Sequence, residues 1–387
     1  MIKVGLLDGQ SIQAVTFAKQ LTNSGYEPIL FCDSKLSYGY HTKYAHKKVL
    51  CPSTQKETTD FHNFFLNYLA NEKLEVVIPM NDYSAKYLSV YKPFLQHKVK
   101  FSIPDFPIFM RGYNKNQLMQ VCAINNLPHP TTIDISTLEK DSTMDFNFPA
   151  LIKPNETTGA RGFKKVNNFV ELWEVYEPIF KEFGDCHLQE LIPGGGMQYK
   201  VQLLIKNHHV TNSTVIEKHR YYPVNGGSSC FNRTIVNNEL VKICTEVLEI
   251  IGWEGFADFD LIEDPRDGII KIMEINPRVP ACIKASIISG VNFPKAIVDL
   301  STDNPIETYI YKPNKYLRYF SIDLLWLISQ KNKWQGFKEW KKQLFSNRHF
   351  LQDGELSDPV PFIIGTCSGI VKQINPKFRA SKKAMNT

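Results

Sequence analysis

Gly252-Trp-Glu-Gly-Phe-Ala-Asp-Phe-Asp-Leu-Ile262 and Met273-Glu-Ile-Asn-Pro-Arg278 are the two stretches of this chain that decide its fold. Both alternate apolar and polar side chains with the period of two that is typical of β-strands. The segment between them, Glu263-Asp-Pro-Arg-Asp-Gly268, is rich in turn-forming residues. The sequence therefore predicts a β-hairpin that gathers its polar side chains on one face.

Three polar side chains of this hairpin are placed to converge. Asp260 lies on the first strand, and Glu274 and Asn276 share a face of the second. Carboxylate and amide oxygens are hard ligands, which suits Mg²⁺ (or Mn²⁺) held between protein carboxylates and nucleotide phosphates. Arg278 follows two residues later, where its guanidinium can contact a transferring phosphoryl group. The alternative is a surface hairpin with ordinary acidic residues, and these two strands alone do not separate the two interpretations.

The hairpin resembles the metal-binding strands of the ATP-grasp superfamily. Glu274-Ile-Asn-Pro-Arg278 is similar to the metal-binding motif of that superfamily, and Gly252-x-x-Gly255-x-x-x-x-Asp260 is similar to the strand that carries its other metal carboxylate. The resemblance implies ATP and Mg²⁺ as cofactors. It also implies that the remaining parts of the fold lie upstream in a fixed order.

A strand that ends in a lysine, and the glycine loop after it, resemble the nucleotide-binding lid of the superfamily. Phe148-Pro-Ala-Leu-Ile-Lys153 resembles the strand whose lysine contacts the α-phosphate and the adenine. An unpaired ammonium at the end of an apolar strand would be costly to bury, although a snorkelling lysine is the alternative. The loop residues that the resemblance assigns to phosphate binding are Thr158, Gly159, Arg161 and Gly162.

Gln189-Glu190-Leu-Ile-Pro-Gly-Gly-Gly196 resembles the hinge that meets the adenine edge in the same superfamily. The resemblance assigns this contact to Glu190, Leu191 and Ile192. Relatives commonly carry an acidic residue shortly afterwards for the ribose hydroxyls, and the chain departs from that pattern because its nearest match is Gln198. Lys115 corresponds to a basic residue of relatives; a solvated lysine on a helix surface is the alternative.

A basic segment between the hinge and the hairpin is the predicted carboxylate pocket. Lys218 and Arg220 lie there, with Gly226-Gly-Ser-Ser229 and Arg233 beyond them. Arg and Lys donors suit a carboxylate substrate near the γ-phosphate, whereas the alternative is a polar surface loop. The sequence thus predicts Arg278, Lys218 and Arg220 as the catalytic residues.

Residues 1–106 alternate between strand and helix, which predicts a parallel, doubly wound sheet. The predicted strands are Ile2–Leu7, Glu27–Phe31, Lys47–Leu50, Glu75–Pro79 and Lys100–Ile103. No Gly-x-Gly-x-x-Gly follows the first strand, so dinucleotide binding is not expected here. Pro104 to Arg111 is interpreted as a linker.

The composition is that of a globular protein of two to three domains. Its 387 residues are 43% hydrophobic and 22% charged. No apolar run approaches the ~18 residues of a membrane-spanning helix. The eight cysteines form no Cys-x-x-Cys, and no signal peptide precedes the first strand, so we expect reduced thiols and a cytoplasmic location.

The positive charge of the chain is concentrated at its end. Residues 315–387 contain 13 Lys or Arg and 5 Asp or Glu, a net charge of +8, whereas the remainder has 32 basic and 34 acidic residues. This argues against a nucleic-acid partner and favours a local acidic one. Residues 331–345 are predicted to form an amphipathic basic helix that either contacts an anionic membrane or packs on the protein core, the second being favoured. Residues 377–387 are predicted to be a disordered basic tail.

These features together predict an α/β protein with a doubly wound pre-ATP-grasp domain at 1–106. An ATP-grasp domain follows at 107–317, with its lid at about 146–190, and a basic C-terminal extension at 318–387. Among subgroups, the chain resembles carbamoyl-phosphate-synthetase-type carboxylate–amine ligases such as D-aspartate ligases. This implies a small-molecule carboxylate and an amine as substrates, joined through an acyl-phosphate. The alternatives are an inactive ATP-binding regulatory or scaffold protein and a bicarbonate-using carboxylase-type enzyme.

Overall fold

The computed structural model describes residues 1–140, 145–224, 228–342, 348–355 and 357–374, and these form three β-sheets with helices packed around them. Two sequence features lie wholly or partly outside the described residues. They are the tail at 377–387 and the glycine pair Gly226-Gly227. The eight cysteines are all free, as expected.

The first sheet is parallel, as the alternation of strands and helices predicted. Its strand order is β3-β2-β1-β4, so the chain extends the sheet on one side of β1 and then crosses to the other. The elements are β1 (Lys3–Leu7), α1 (Ile12–Asn23), β2 (Glu27–Cys32), β3 (Lys47–Leu50), α2 (Thr58–Asn71), β4 (Val76–Pro79), α3 (Asp82–Val90) and α4 (Lys92–Leu95). This topology places the switch point between β1 and β4.

Two predictions for the end of this region are wrong. The segment Lys100–Ile103 is not a strand, since it pairs with β4 only through an isolated bridge between Val76 and Lys100. The proposed linker, Pro104 to Arg111, is largely helical because α5 spans Phe106–Tyr113, and α6 (Lys115–Ile124) follows it. Pro107 occupies the first turn of α5, where a missing N–H costs nothing, and the following apolar residues pack against the core.

The region predicted as the lid is a separate four-stranded antiparallel sheet with one long helix, and a strand at Thr132–Asp134, before the predicted start of this region, joins the sheet. Its strand order is β5-β8-β6-β7. The elements are β5 (Thr132–Asp134), β6 (Ala150–Pro154), β7 (Lys164–Val166), α7 (Phe169–Phe183) and β8 (Cys186–Glu190). A small core between α7 and the sheet includes Ile152, Leu172 and Leu188, so the lid has its own apolar interior.

The third sheet carries the predicted hairpin. Its order is β13-β12-β9-β10-β11-β14-β15, antiparallel except for the final pair. The elements are β9 (Gln198–Lys206), β10 (His209–Tyr222), β11 (Ser228–Ile235), α8 (Asn238–Ile251), β12 (Gly255–Glu263), β13 (Ile270–Asn276), α9 (Ile283–Ser289), α10 (Phe293–Ser301), β14 (Tyr316–Arg318), α11 (Phe320–Ser329), α12 (Lys333–Lys342), β15 (His349–Leu351) and α13 (Val360–Ile374). The two outer strands β14 and β15 were not predicted.

One face of the third sheet packs on the helices α5, α6 and α8. The apolar residues Val201, Leu203 and Phe259 alternate along β9 and β12 and are fully buried in this core. Trp253 lies at its centre, with its ring 6.2 Å from that of Phe109 on α5. The opposite face of the same strands is therefore free to carry polar side chains.

Gly112 allows α5 to approach Trp253 closely. A Cβ at this position would lie 2.7 Å from Cζ3 of Trp253, which is inside van der Waals contact. We therefore expect Gly112→Ala to lower the free energy of unfolding by about 1–3 kcal/mol through overpacking, although alanine favours a helix. Urea denaturation followed by tryptophan fluorescence measures this change.

Gly194→Ala is the matched control, because an added Cβ there has no atom within 4 Å. We expect the stability of this variant to equal that of the wild type. Equal stability of the Gly112→Ala protein would show that α5 and Trp253 are not in close contact.

Candidate functional site

The register of three strands brings the predicted metal ligands together on the polar face of the third sheet. Asp260 on β12 lies opposite Glu274 on β13, and Asp258 lies opposite Asn276. Nδ2 of Asn276 donates to Oδ2 of Asp260 at 2.9 Å. On the other side of β12, Lys200 of β9 is the register partner of Asp260.

Two ammonium groups contact the carboxylate of Asp260. Nζ of Lys200 lies 2.9 Å from Oδ2, and Nζ of Lys218 contacts Oδ1. Burial alone would raise the pKa of Asp260, but the two lysines hold it well below its usual range. The carboxylate is therefore ionised at neutral pH, which is the state that a cation requires.

Asp258 is a second, fully buried carboxylate on this face. It lies 2.6 Å from Nζ of Lys200, which thus bridges Asp258 and Asp260. Burial lowers the pKa of Lys200, yet the two carboxylates together raise it well above its usual value. Lys200 is consequently a fixed positive charge within the sheet.

The donor set fits a magnesium ion that is shared with a nucleotide. Asp260 and Glu274 offer two carboxylates, and Asn276 offers an amide. The described part of the chain contains no group of three or more His, Cys, Asp or Glu side chains that could hold a metal ion. Mg²⁺ commonly takes one or two protein carboxylates and completes its octahedron with phosphate oxygens and water. The residues present match that pattern.

Lysines from two other parts of the chain face Glu274. Nζ of Lys115, at the start of α6, lies 3.2 Å from Oε2 of Glu274 and donates to the carbonyl of Thr157 at 2.8 Å. Lys153, at the end of β6, is only 7% exposed and donates to Oε1 of Gln189 at 2.5 Å. Both lysines are buried. This differs from the alternatives raised by the sequence, which were a solvated Lys115 on a helix surface and a snorkelling Lys153.

Burial makes the ammonium of Lys153 easy to deprotonate. Its pKa is lowered to about 8, mainly by desolvation and also by Lys115, while Glu274 opposes the shift. A phosphate group brought close to Lys153 would favour the charged form and raise the pKa again.

The glycine loop between β6 and β7 is partly exposed, at Gly159 and Arg161. Gly159 and Gly162 have positive φ angles of 67° and 76°, and a Cβ on Gly162 would lie 2.8 Å from the ring of Phe183. Arg161 is exposed, donates to the carbonyl of Thr158 at 3.3 Å and contacts the hydroxyl of Tyr83 on α3. The loop therefore touches the first domain as well as bordering Lys153.

The predicted adenine hinge is held by hydrogen bonds within the protein. The Glu190 carboxylate accepts from Arg266 at 2.8 Å and from Lys271 at 3.1 Å. The backbone N–H of Leu191 donates to Pro149 at 3.2 Å, and Ile192 follows at the end of β8. The side chain of Glu190 thus joins the lid to the turn between β12 and β13. Gln198 lies beside this network rather than within it. It is the first residue of β9 and pairs with Lys218 of β10 and Ile262 of β12.

Lys218 and Arg220 do not share a pocket, in contrast to the prediction. Register shifts between β10 and β11 at these residues interrupt the alternation of the strand. Lys218 contacts Asp260, whereas Arg220 is buried against Asp323 of α11 at 3.2 Å and lies over the ring of Trp326. Arg233 pairs with Glu217 at 2.6 Å. A contact of Arg220 with a carboxylate substrate has no support in this geometry.

Three residues of the site were missed in the sequence. Asp258 could have been found, because it lies two residues before Asp260 on the same face of the strand, and Lys200 could have been found as a charge among the alternating residues of its own strand. Asp82 could not have been found from the sequence. Its carboxylate lies 3.4 Å from Nε of Arg278, and the two residues are distant in the sequence. Arg278 also donates from Nη2 to Oδ1 of Asn276 at 3.1 Å.

Comparison with known proteins identifies the fold. The family described as ATP-grasp in the biosynthetic pathway with Ter operon matches residues 207–323. The D-aspartate ligase of Enterococcus faecium (strain Aus0004) is 26% identical over 264 residues, covering 60% of each chain. The chain therefore spans about 60% of the length of this curated relative.

Two solved structures resemble most of this arrangement. One is the L-amino acid ligase of Bacillus licheniformis, with a TM-score of 0.61, 14% identity and coverage of 82% of this chain and 78% of that one. The other is the biotin carboxylase domain of Hydrogenobacter thermophilus 2-oxoglutarate carboxylase in complex with MgADP, ADP and bicarbonate, with a TM-score of 0.67, 15% identity and coverage of 82% and 73%. These likenesses confirm the α/β ATP-grasp fold predicted from the sequence.

Because the pKa of Lys153 is lowered, we expect the protein to take up protons when it binds a nucleotide. Between pH 8 and 9 part of the free protein has a neutral Lys153, and a bound phosphate favours its charged form. We expect the affinity for MgADP to fall as the pH rises through about 8. Calorimetry at pH 8.5 in two buffers of different ionisation enthalpy measures the proton uptake.

Lys153→Arg should abolish this buffer dependence, because arginine stays charged. Lys165→Arg, at an exposed position on β7, is the control and should retain it. Proton uptake that survives in Lys153→Arg would assign it to another group.

Proposed function

We propose that this chain, which belongs to the ATP-grasp superfamily, is an ATP- and Mg²⁺-dependent ligase that activates a carboxylate as an acyl-phosphate and joins it to an amine. The observation that carries the proposal is the convergence of Asp260, Glu274 and Asn276 with the buried ammonium groups of Lys115 and Lys153. Two carboxylates and an amide among fixed cations suit a metal–triphosphate complex.

The arrangement suits phosphoryl transfer by positioning and charge stabilisation. Lys115 and Lys153 would neutralise phosphate oxygens, and Arg278 is placed to bind the oxygens of the carboxylate or the transferring group. Lys200 and Lys218 keep Asp260 ionised and oriented. Bound Mg²⁺ would neutralise charge on the phosphates and align them. Such a reaction needs no covalent nucleophile on the protein.

The two alternative functions are less well supported by the site. A scaffold protein that has lost turnover has no need to keep carboxylates and buried lysines together, since removing charges from water is costly even when they are paired. The bicarbonate complex of the 2-oxoglutarate carboxylase domain is a likeness of fold alone. The name of the D-aspartate ligase, which is similar in sequence, favours amino acids as substrates.

A direct experiment measures phosphate release with D-aspartate and each L-amino acid, alone and in pairs. Release that requires both a carboxylate and an amine, with an amide product seen by mass spectrometry, supports a ligase. Binding of MgATP without turnover of any member of the panel would favour the scaffold protein. Turnover with bicarbonate alone would favour the carboxylase-type enzyme.

Glu274→Gln tests the metal assignment. The change removes one charge from a half-buried polar position on β13 and no core packing. We expect the rate of ADP formation to fall more than about 100-fold, as loss of a charge-stabilising group in an active site does, in a protein that still folds. Glu246→Gln, exposed on α8, should keep full activity. Normal turnover by folded Glu274→Gln protein would refute the site.

The C-terminal helices form a basic surface that also exposes aromatic side chains. Trp340 is buried, with the guanidinium of Arg318 over its ring, as the packing interpretation of this helix expected. However, Trp334 and Phe337 on the same helix are 68% and 42% exposed. The exposed lysines around them are Lys331, Lys333, Lys338 and Lys341. None of the described helices is long and apolar enough to cross a membrane.

We infer that this surface binds an anionic membrane, where an enzyme of cell-envelope or polysaccharide biosynthesis would meet its substrates. Each lysine near a charged surface contributes ~1 kcal/mol. The double variant Lys338→Glu/Lys341→Glu should therefore abolish salt-sensitive co-sedimentation with phosphatidylserine vesicles, whereas Lys242→Glu on α8 should not. Equal recovery of the wild type in the supernatant with anionic and neutral vesicles would exclude this surface.

A further inference from the structure

The glycine loop between β6 and β7 is held by side chains of the first domain. Tyr83 and Lys86 are three positions apart on α3 and therefore lie on the same face of that helix. The hydroxyl of Tyr83 accepts a hydrogen bond from Nη2 of Arg161, and the ammonium of Lys86 pairs with the carboxylate of Glu156. The two contacts thus fix both ends of the loop segment from Glu156 to Arg161.

The backbone of this segment has a conformation that needs such support. Gly159 and Ala160 are consecutive residues with positive φ angles, of 67° and 55°. Glycine adopts this conformation freely, whereas an alanine in it is strained and persists only where the surrounding structure holds it. Lys115 of α6 supplies one contact, because its ammonium donates to the carbonyl of Thr157 at 2.8 Å. The two contacts with α3 add support from the first domain.

Tyr83 also sets the direction of the Arg161 guanidinium. Nε of Arg161 donates to the carbonyl of Thr158 at 3.3 Å, while Nη2 contacts Tyr83. The same hydroxyl is itself held by Nε2 of Gln55, which donates to it at 3.0 Å. A guanidinium has five N–H donors in a planar fork, so the described contacts through Nε and Nη2 leave the donors of Nη1 for a phosphate oxygen.

We propose that Tyr83 and Lys86 are positioning residues for the nucleotide, because they hold the glycine loop in place and Tyr83 directs Arg161 toward the phosphates. This inference rests on the nucleotide site of the proposed function and adds residues of the first domain to it. The same helix begins with Asp82, which pairs with Arg278 at 3.4 Å. One helix therefore links the glycine loop to the arginine placed at the transferring group.

Both contacts can be removed without disturbing the core. The side chains of Lys86 and Glu156 are 38% and 32% exposed, and Arg161 is exposed as well. Ion pairs at such positions contribute little to the stability of a fold. Their loss should instead lower the fraction of molecules whose loop is in the binding position, and the affinity for the nucleotide falls by the same factor.

Tyr83→Phe tests the first contact, because it removes only the hydroxyl. We expect the Kd for the magnesium complex of AMP-PNP, a non-hydrolysable ATP analogue, to rise about three- to tenfold, which is the factor that one hydrogen bond contributes. Calorimetry measures this change without turnover. Hydrogen exchange followed by mass spectrometry should also show faster exchange of the amides of residues 156–163.

A charge exchange tests the second contact. Lys86→Glu places two carboxylates opposite each other, so the Kd for the same complex should rise about threefold or more. Adding Glu156→Lys restores an ion pair of reversed polarity, and we expect this double variant to recover most of the lost affinity. Lys73→Glu is the matched control, because Lys73 forms an exposed ion pair with Glu75 at the amino end of β4, away from α3. It should leave the Kd unchanged.

Several results would overturn the inference. Wild-type affinity or wild-type exchange of the loop in Tyr83→Phe would exclude the positioning role of Tyr83. Wild-type affinity in Lys86→Glu, or a double variant that binds no better than Lys86→Glu, would show that Lys86 does not act through Glu156. If the wild type binds no magnesium AMP-PNP, the nucleotide site of the proposed function fails, and the positioning role fails with it.

Discussion

The central constraint on this structure is that several charges lie on one face of a sheet whose other face is the main apolar core. Lys200, Asp258 and Asp260 are held on that face by adjacent strands. Removing such charges from water is costly unless each finds a partner at short distance. The Asp258–Lys200 and Lys200–Asp260 contacts of 2.6 and 2.9 Å provide those partners. The pairing depends on strand register, because a slip of one residue would move the carboxylates into the apolar core.

The site is built from elements that belong to three different sheets. The lid supplies Lys153, the third sheet supplies Glu274 and Asp260, and the edge of the first sheet supplies Asp82. Each element also has contacts outside the site: Glu190 joins the lid to the hairpin turn, and Arg161 joins the glycine loop to α3. The relative positions of these charged groups therefore depend on interfaces between sheets as much as on any one sheet.

The C-terminal segment has a larger structural role than its composition indicated. Its β15 pairs with β14 at the edge of the third sheet, and Asp323 of α11 lies in the same buried cluster as Arg220 and Arg318. Glu355 connects Lys19 of the first domain with Lys284 of α9. A basic composition described the surface of this segment correctly but gave no information about these contacts, which include pairs as far apart in the sequence as Lys19 and Glu355.

The sequence by itself determined the features that depend on local periodicity and spacing. The alternation along residues 252–278 predicted the hairpin, and its register placed Asp260 across from Glu274. The strand–helix alternation predicted the parallel sheet and, with the hairpin motif, the fold. Only the tertiary structure decided which distant charges meet. Neither the Asp82–Arg278 contact nor the buried Arg220–Asp323 pair is encoded in a local pattern, because side-chain contacts across sheets depend on backbone positions that no short segment specifies.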